Sequence, residues 1–429
     1  MTDRLYYADS FLHTFTAKVA DIRETSRADG VSTWQIAFDR TAFYPTSGGQ
    51  PCDTGTLTAN SRGGVVLEAA VESVEEDEQG TVWHFVRKPL AAGTHVQGKI
   101  DWQRRLDHMQ QHSGQHLLSA VFARELQAPT ISFHLGDAVS TIDLASGPIA
   151  HHSLERVEQI ANEWIAEDRA ITTRTVERAE AEALLAAGRL RKLPERDGKI
   201  RLIEIADTDL NACGGTHVRS TGQIGGLLLR GVEKVSRGMR VSFVCGQRAA
   251  AAARHDFAIL SQTAGLLSIR SADIPAAIER MRAETKLAEK ERLRLREELA
   301  GYHAVRLVVE EQIRGGLRLV SRSFEDRDPE YIRILASSLT ASAPRTVAVL
   351  VSEENWPARL VVAKSGDINL HCGDLLRETL AAFGLRGGGS AEFAQTDVPQ
   401  EQLEKVRGSL EAWILARCRL RSNLASSDA

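Results

Sequence analysis

Two pairs of metal-seeking side chains constrain this chain more than any other feature: His112 with His116, and Cys213 with His217, separated by roughly a hundred residues. The first pair lies in a stretch, Arg104 to Val121, where Leu106, His108, His112, His116, Leu117 and Val121 recur at helical spacing and no proline intervenes before Pro129. On a helix, residues four apart project from one face, so both imidazoles can reach one ion. The second pair, in Cys213-Gly-Gly-Thr-His217, has the same separation, but its two glycines imply an irregular loop that bends sharply around a ligand. Three imidazoles and one thiolate make a borderline-soft tetrahedral set that suits zinc, one ion per chain, better than magnesium or calcium. A joint site requires the fold to bring a helix and a distant loop together. Otherwise the pairs are two unrelated core features, and four protein ligands are equally the closed shell of a structural zinc.

The periodicity around these pairs predicts an α+β chain in four segments. From Phe15 to about Trp102 apolar and polar residues alternate, as in Thr33-Trp-Gln-Ile-Ala-Phe38 and Thr81-Val-Trp-His-Phe-Val86, between Gly, Asp and Asn turns. This predicts a small β-barrel-like domain over 1–102. Residues 103–250 read as an α+β core that holds the metal, with strands near Ser140 to Leu144, Lys199 to Ile205 and Arg240 to Val244, and helices from Leu154 to Asp168 and Arg178 to Ala186. A charged helix rich in Glu, Lys, Arg and Leu, Pro275 to about Val308, marks a helical linker or arm over 251–308. Residues 309–429 alternate strands (Thr346 to Val351, Arg359 to Ala363) with helices (Tyr331 to Leu339, Leu375 to Phe383, Gln402 to Arg417), the pattern of an α/β domain.

Composition narrows the function classes. With 429 residues, 43% apolar and 26% charged, the chain exceeds one ordinary core and is neither disordered nor fibrous. A net charge of -4 offers no global attraction for a phosphate backbone, so RNA contact must come from local clusters and DNA is not expected. Five scattered cysteines, Cys52, Cys213, Cys245, Cys372 and Cys418, form no disulfide framework. No stretch reaches the roughly 18 apolar residues that cross a bilayer, and the first residues have no signal-peptide pattern, so a cytoplasmic protein is expected.

Three segments occur in the order Phe43-Tyr-Pro-Thr-Ser-Gly-Gly-Gln-Pro-Cys-Asp-Thr-Gly55, His112-Ser-Gly-Gln-His-Leu-Leu118 and Ala212-Cys-Gly-Gly-Thr-His-Val218. Together they resemble the motifs of the alanyl-tRNA editing family, and more closely its long AlaX-type members. These are free-standing relatives of the editing domain of alanyl-tRNA synthetase with its C-terminal domain. The resemblance spans essentially the whole chain. It implies hydrolysis of the ester joining a wrong amino acid, chiefly serine and also glycine, to tRNA(Ala), with zinc bound by His112, His116, Cys213 and His217. The stretch Arg386-Gly-Gly-Gly-Ser-Ala-Glu-Phe-Ala-Gln395 resembles the Gly-rich loop of the synthetase C-terminal domain. It places Gly387, Gly388 and Gly389 at tRNA and, by analogy, implies a homodimer through the C-terminal region. Two positions depart from the pattern. Gln115 stands where the synthetase editing domain commonly has Thr, as it does in the long free-standing relatives, and Thr46-Ser47-Gly48-Gly49 replaces a motif in which many relatives carry a third glycine. No class II synthetase or ATP-binding motif is found, nor the Asp-His-His motif of phosphoesterases that share the C-terminal domain type, so ATP-independent deacylation rather than synthesis is expected.

Beyond the four ligands, His134 and Gln115 are candidate catalytic groups. Thr46, Gln115 and Thr216 are candidates for substrate contact, since a polar partner that satisfies a serine hydroxyl rejects alanine better than a missing methyl does. Arg104, Arg105, Lys234 and Arg237 lie in basic clusters that could hold tRNA phosphates. His108, one turn before His112, is open between ligand, outer-shell partner, proton shuttle and a partly exposed polar residue. The competing function is a tRNA-binding module whose zinc is structural, with little or no catalysis. A third is a metal hydrolase of small amino-acid esters.

Overall fold

The computed structural model describes residues 2–28, 31–60, 66–194 and 198–424. It divides into two compact units, Met1–Thr263 and Ala264–Ala429.

In the first unit, the alternating segments pair as six strands: β1 (Thr14–Ala28), β2 (Val31–Phe38), β3 (Gly55–Asn60), β4 (Val66–Glu76), β5 (Val82–Val86) and β6 (His95–Ile100). They close into a barrel in the order β1-β2-β5-β4-β3-β6. Closure leaves no open edge and turns every second residue inward, so that Phe15, Val19, Ile36, Leu57, Val71 and Val96 share one core. A register shift between Val19 and Asp21 bends β1 where the barrel curves. The loop from β2 to β3 carries the Phe43 to Gly55 motif.

Asp101 then starts helix α1 (Trp102–Leu126), its side chain accepting from the Arg104 amide, and Gln127 ends it in the left-handed region at φ 50°. Every residue from His108 to Phe122 is buried. A surface helix hides one face, whereas this one is enclosed on all sides and has no polar stripe. The chain continues through β7 (Thr130–Leu135), β8 (Ser140–Leu144), α2 (His151–Ala166), β9 (Ile171–Val176), α3 (Arg178–Ala186), β10 (Ile200–Ile205), β11 (Asp209–Ala212), β12 (Leu227–Val235) and β13 (Gly238–Cys245), of which α2, β7, β8, β11 and β13 pack against α1. These strands form one four-stranded sheet, β12-β13-β8-β7, and one three-stranded sheet, β9-β10-β11. Phe122, Ile142, Val157, Trp164, Ile203 and Phe243 knit helix and strands into a single core. Helix and sheet approach so closely at Gly114 that a Cβ there would lie 2.2 Å from Cys245 Sγ.

The segment expected as a helical linker or arm contains two helices, α4 (Gly246–Leu267) and α5 (Ile274–Glu310). Ser268 at φ 53° breaks the first, and Pro275 in the opening turn starts the second. In the second unit a five-stranded sheet runs β14-β15-β16-β18-β17, built from β14 (Arg318–Phe324), β15 (Thr346–Ser352), β16 (Ala358–Lys364), β17 (Gly387–Gly389) and β18 (Phe393–Val398). Helix α6 (Pro329–Ser342) makes the crossover between the parallel pair β14 and β15. Strand β15 is buried throughout because both faces are covered. Val347, Val349 and Val351 face the core shared with α7 (Cys372–Ala381) and α8 (Gln400–Leu424), while Ala348 and Leu350 face α6 and the end of α5.

Among the described residues no helix is long and apolar enough to cross a membrane. Cys52, Cys213, Cys245 and Cys372 are free thiols, and the side chain of Cys418 lies outside the described residues.

Candidate metal centre

The β2–β3 loop is the first structure that the site requires. It folds into a hairpin in which the Tyr44 amide donates to Asp53 Oδ2 (2.6 Å) and the Asp53 amide to the Tyr44 carbonyl (3.0 Å). At its tip Ser47 and Gln50 exchange backbone bonds of 3.1 and 2.9 Å around Gly48 and Gly49. Their φ values of 55° and 81° are those of a tight two-residue turn, which glycine adopts without strain. Gly49 serves a second need, since a Cβ there would lie 2.8 Å from the Phe133 ring.

Arg105 pins the base of this loop to α1. Its Nε donates to Asp53 Oδ1 (3.0 Å), its Nη1 to the Ser10 carbonyl (2.8 Å) and its Nη2 to the Ala42 carbonyl (2.6 Å), with both charged groups fully buried. Arg105, expected among the tRNA contacts, is instead fully buried against a carboxylate and two carbonyls and is not at the surface where a phosphate could reach it.

The four expected donors converge. His112 and His116 from α1, and Cys213 and His217 from the loop after β11, bring one ligand atom each to within 4.8 Å of all the others. Cys213 Sγ lies 3.4 Å from Nε2 of both His112 and His217. In a tetrahedron with bonds of about 2.0–2.3 Å, neighbouring ligand atoms stand about 3.5 Å apart, so the donor set fits a zinc-sized ion.

The imidazoles are held from behind. Gln50 Oε1 accepts from the Thr216 backbone amide (3.1 Å), which can only donate, so this atom is the amide oxygen. The His112 Nδ1 that lies 2.8 Å from the same oxygen must then carry the proton, leaving the Nε2 lone pair toward Cys213. Ser113 Oγ stands 3.1 Å from His217 Nδ1 and accepts from the Val218 amide. Behind His116 Nδ1 are Asn211 Nδ2 at 3.3 Å and Asp209 Oδ2 at 4.0 Å.

Burial keeps all three imidazoles neutral. It holds His112 and His217 well below the usual histidine range and His116 at about 3. The same burial pushes the Cys213 thiol up, the Gly215 amide and Arg201 opposing it. A divalent cation reverses that shift by favouring the thiolate. Arg201 also fixes the loop, its Nη1 donating to the carbonyls of Cys213 and Gly215, both at 2.8 Å. Glycine is required at 215, where a Cβ would lie 2.1 Å from His112 Cε1.

The cluster opens into a cavity of about 520 Å3 whose walls include Gln115, Ser119, Phe133 and Asn211. Gln115 is buried; its Nε2 donates to Ser119 Oγ (2.9 Å), and its Oε1 has no partner. Other expected residues fall elsewhere. Thr216 is fully buried, its hydroxyl accepting from Gln50 Nε2 (2.8 Å), and it is not among the residues that line the cavity. Thr46 and His134 line a separate hollow beside Arg104. Along β7 side chains alternate, so Phe133 facing His112 turns His134 away from the metal donors. His108 is 2% exposed rather than partly exposed, stands outside the ligand group, and its Nδ1 has no partner. Lys234 and Arg237 are exposed around the β12–β13 turn, Arg104 is half-buried with Nε on the Cys52 carbonyl, and Gly387, Gly388 and Gly389 form the edge strand β17.

Gln50, Ser113, Asn211 and Arg201 were not singled out from the sequence. Gln50 and Ser113 do lie inside the motifs quoted above, but only contact with the imidazoles reveals their part.

Comparison with known proteins defines the class. Residues 1–104 match the model described as tRNA synthetases class II (A), residues 200–240 the threonyl and alanyl tRNA synthetase second additional domain, and residues 316–416 the DHHA1 domain. The second additional domain followed by DHHA1 is consistent with the long AlaX form of the alanyl-tRNA editing family, which the chain resembles. It is 29% identical over 426 residues to the alanyl-tRNA editing protein AlaX-L of Pyrococcus horikoshii, covering 96% of this chain and 100% of that protein. It is also 32% identical over 429 residues to the alanine–tRNA ligase of Pyrococcus abyssi, covering 96% of this chain but only 43% of the ligase. The chain thus spans less than half the length of the ligases it matches. Among solved structures, the C-Ala domain of Aquifex aeolicus alanyl-tRNA synthetase aligns at 25% identity and a TM-score of 0.21, covering 23% of this chain and 96% of that domain.

Proposed function

We propose that this protein is a zinc-dependent hydrolase that deacylates mischarged tRNA(Ala), chiefly seryl-tRNA(Ala) and also glycyl-tRNA(Ala). The observation that carries the reading is a largely buried three-histidine, one-cysteine donor set, braced from behind and opening into a cavity that includes Gln115, Ser119 and Asn211 and is large enough for a small aminoacyl ester. In the reaction water adds to the acyl carbon, the bond to the ribose oxygen breaks, and the amino acid leaves as its acid while the ribose regains its hydroxyl. Zinc bound by His112, His116, Cys213 and His217 supplies Lewis-acid polarisation of a carbonyl or a water.

The protein's own groups do the rest. Gln50 and Ser113 hold the imidazoles in place, and the Phe133 ring shields His112 from solvent. The unpartnered Gln115 Oε1 accepts from the side-chain hydroxyl of a seryl group, a bond that alanyl and glycyl groups both leave unmade, which makes the seryl species the chief substrate.

The test is deacylation of Ser-, Gly- and Ala-tRNA(Ala) by the purified protein, with metal content measured in parallel. Turnover of the serine species, sparing of the alanine species, and loss of both zinc and activity in Cys213→Ala are expected. Full activity in that variant would sink the metal assignment. Four protein donors can also close the shell, which favours a second reading, a tRNA-binding module with a structural ion. Retained tRNA binding with no deacylation of any mischarged species would select it.

A further inference from the structure

A second cavity, of about 990 Å3, lies on the other side of the Cys213 loop. Its walls include Arg4, Tyr7, Thr175, Lys199 and Arg201, with Asp3 the one acidic residue lining it. The two cavities share Ser47, Ala212, Cys213 and Gly214. Gly214, exposed and without a side chain, is part of that common wall.

The walls of the second cavity are built rather than incidental. Arg4 is 9% exposed, and its Nη1 donates to the Tyr7 hydroxyl at 2.9 Å. Arg201 reaches the Tyr7 carbonyl with Nε at 3.4 Å, and the guanidinium carbons of Arg4 and Arg201 stand 5.5 and 5.4 Å from the Tyr7 ring centroid. Arg4 also pairs with Glu76 through Nη2, and Lys199 at the rim pairs with Glu177 at 3.0 Å, an exposed bridge that holds it weakly. The Tyr7 ring with Arg201 and Lys199 beside it therefore suits a ligand that carries both phosphate charge and a flat base.

An aminoacyl ester has two sides, an acyl group and a ribose that continues into a nucleotide chain. The metal-donor cavity, with Gln115 and Ser119, has the size and polarity for the acyl side. On its lip Arg191 is already committed to Asp209. The larger, more basic cavity across Gly214 has the size and charge for the other side.

We infer that the cavity lined by Tyr7, Arg4, Lys199, Thr175 and Arg201 is the subsite for the 3′-terminal nucleotides of the acylated RNA. The inference rests on the aminoacyl-tRNA hydrolase reading above. It gives the N-terminal residues a direct part in RNA recognition and makes the Cys213 loop the divide between ester and nucleotide.

The test measures binding of an uncharged RNA minihelix ending in unpaired CCA to full-length, zinc-loaded protein by fluorescence anisotropy. Lys199→Glu and Thr175→Tyr, both at exposed positions, are each expected to weaken binding about tenfold while leaving metal content unchanged. Clipping the three terminal nucleotides should weaken wild-type binding by a similar factor and the variants far less, because both changes remove the same contact. Variants that bind as wild type does, or that lose as much as wild type on clipping, would overturn the subsite. Deacylation is scored separately: a wild type that binds in this end-dependent way yet hydrolyses no mischarged species sinks the hydrolase reading and leaves the subsite standing.

Discussion

Gln50 shows how much one side chain outside the ligand set decides. It is fully buried, its oxygen serves both His112 and the Thr216 amide, and its nitrogen serves the Thr216 hydroxyl. Helix, barrel loop and cysteine loop therefore meet on one amide. Gln50→Leu keeps the size but leaves the His112 Nδ1 proton and two Thr216 groups unpaired. Zinc affinity is expected to fall about 10- to 100-fold, as for other partners of metal-bound histidines, read by competition with a chromophoric chelator. Wild-type affinity in the variant would show that His112 needs no such support. The adjoining Gly48 and Gly49 form a tight turn that sets the position of Gln50.

Helix α1 is the element around which the site is organised. One face presents His112 and His116 to the cysteine loop, and Arg105 at its start grips the barrel loop through Asp53. The pair is buried and its remaining donors are spent on backbone carbonyls, so removing one partner strands the other charge without water. Asp53→Ala should cost about 3–5 kcal/mol in urea unfolding of the metal-loaded protein. A loss below about 1 kcal/mol would place the pair among surface-like bridges. The helix itself was legible from its spacing, while its start at Asp101 came only with the structure. Its enclosure was not, because Gln110, Gln111, Gln115 and Ser119 look like a solvated face until their partners, such as the Cys245 backbone for Gln111, are known.

At the scale of the molecule, the barrel carries a pH dependence of its own. His84 is fully buried; its Nδ1 donates to the Ile36 carbonyl (3.0 Å), so its Nε2 accepts from the Thr41 hydroxyl (2.8 Å). Burial lowers its pKa to about 4, against an unfolded value near 6.5. Above about pH 6.5 neither state is protonated there and the contribution is complete. As pH falls from 6.5 through 4 the unfolded state takes up a proton that the folded state refuses, and about 3 kcal/mol is lost. Urea unfolding of the first unit between pH 7 and pH 4 should show this loss, with a shallower slope in His84→Phe. The same slope in that variant would assign the acid sensitivity to other groups.

The sequence by itself determined the periodic elements and the four side chains that converge as candidate metal donors. Alternation marked the barrel, helical spacing marked α1, and two short motifs carried His112, His116, Cys213 and His217, because these depend on local geometry and on side-chain chemistry. Tertiary structure alone decided which polar residues see the site. It buried Arg105 and Thr216, turned His134 away through the alternation of β7, and left Gln115 Oε1 unpartnered in the cavity. It also brought in Gln50 from the barrel loop and Arg201 from β10, whose roles depend on contacts between segments far apart in the chain. The reason is physical: a donor announces itself by what it is, whereas a partner is defined by what the fold sets beside it.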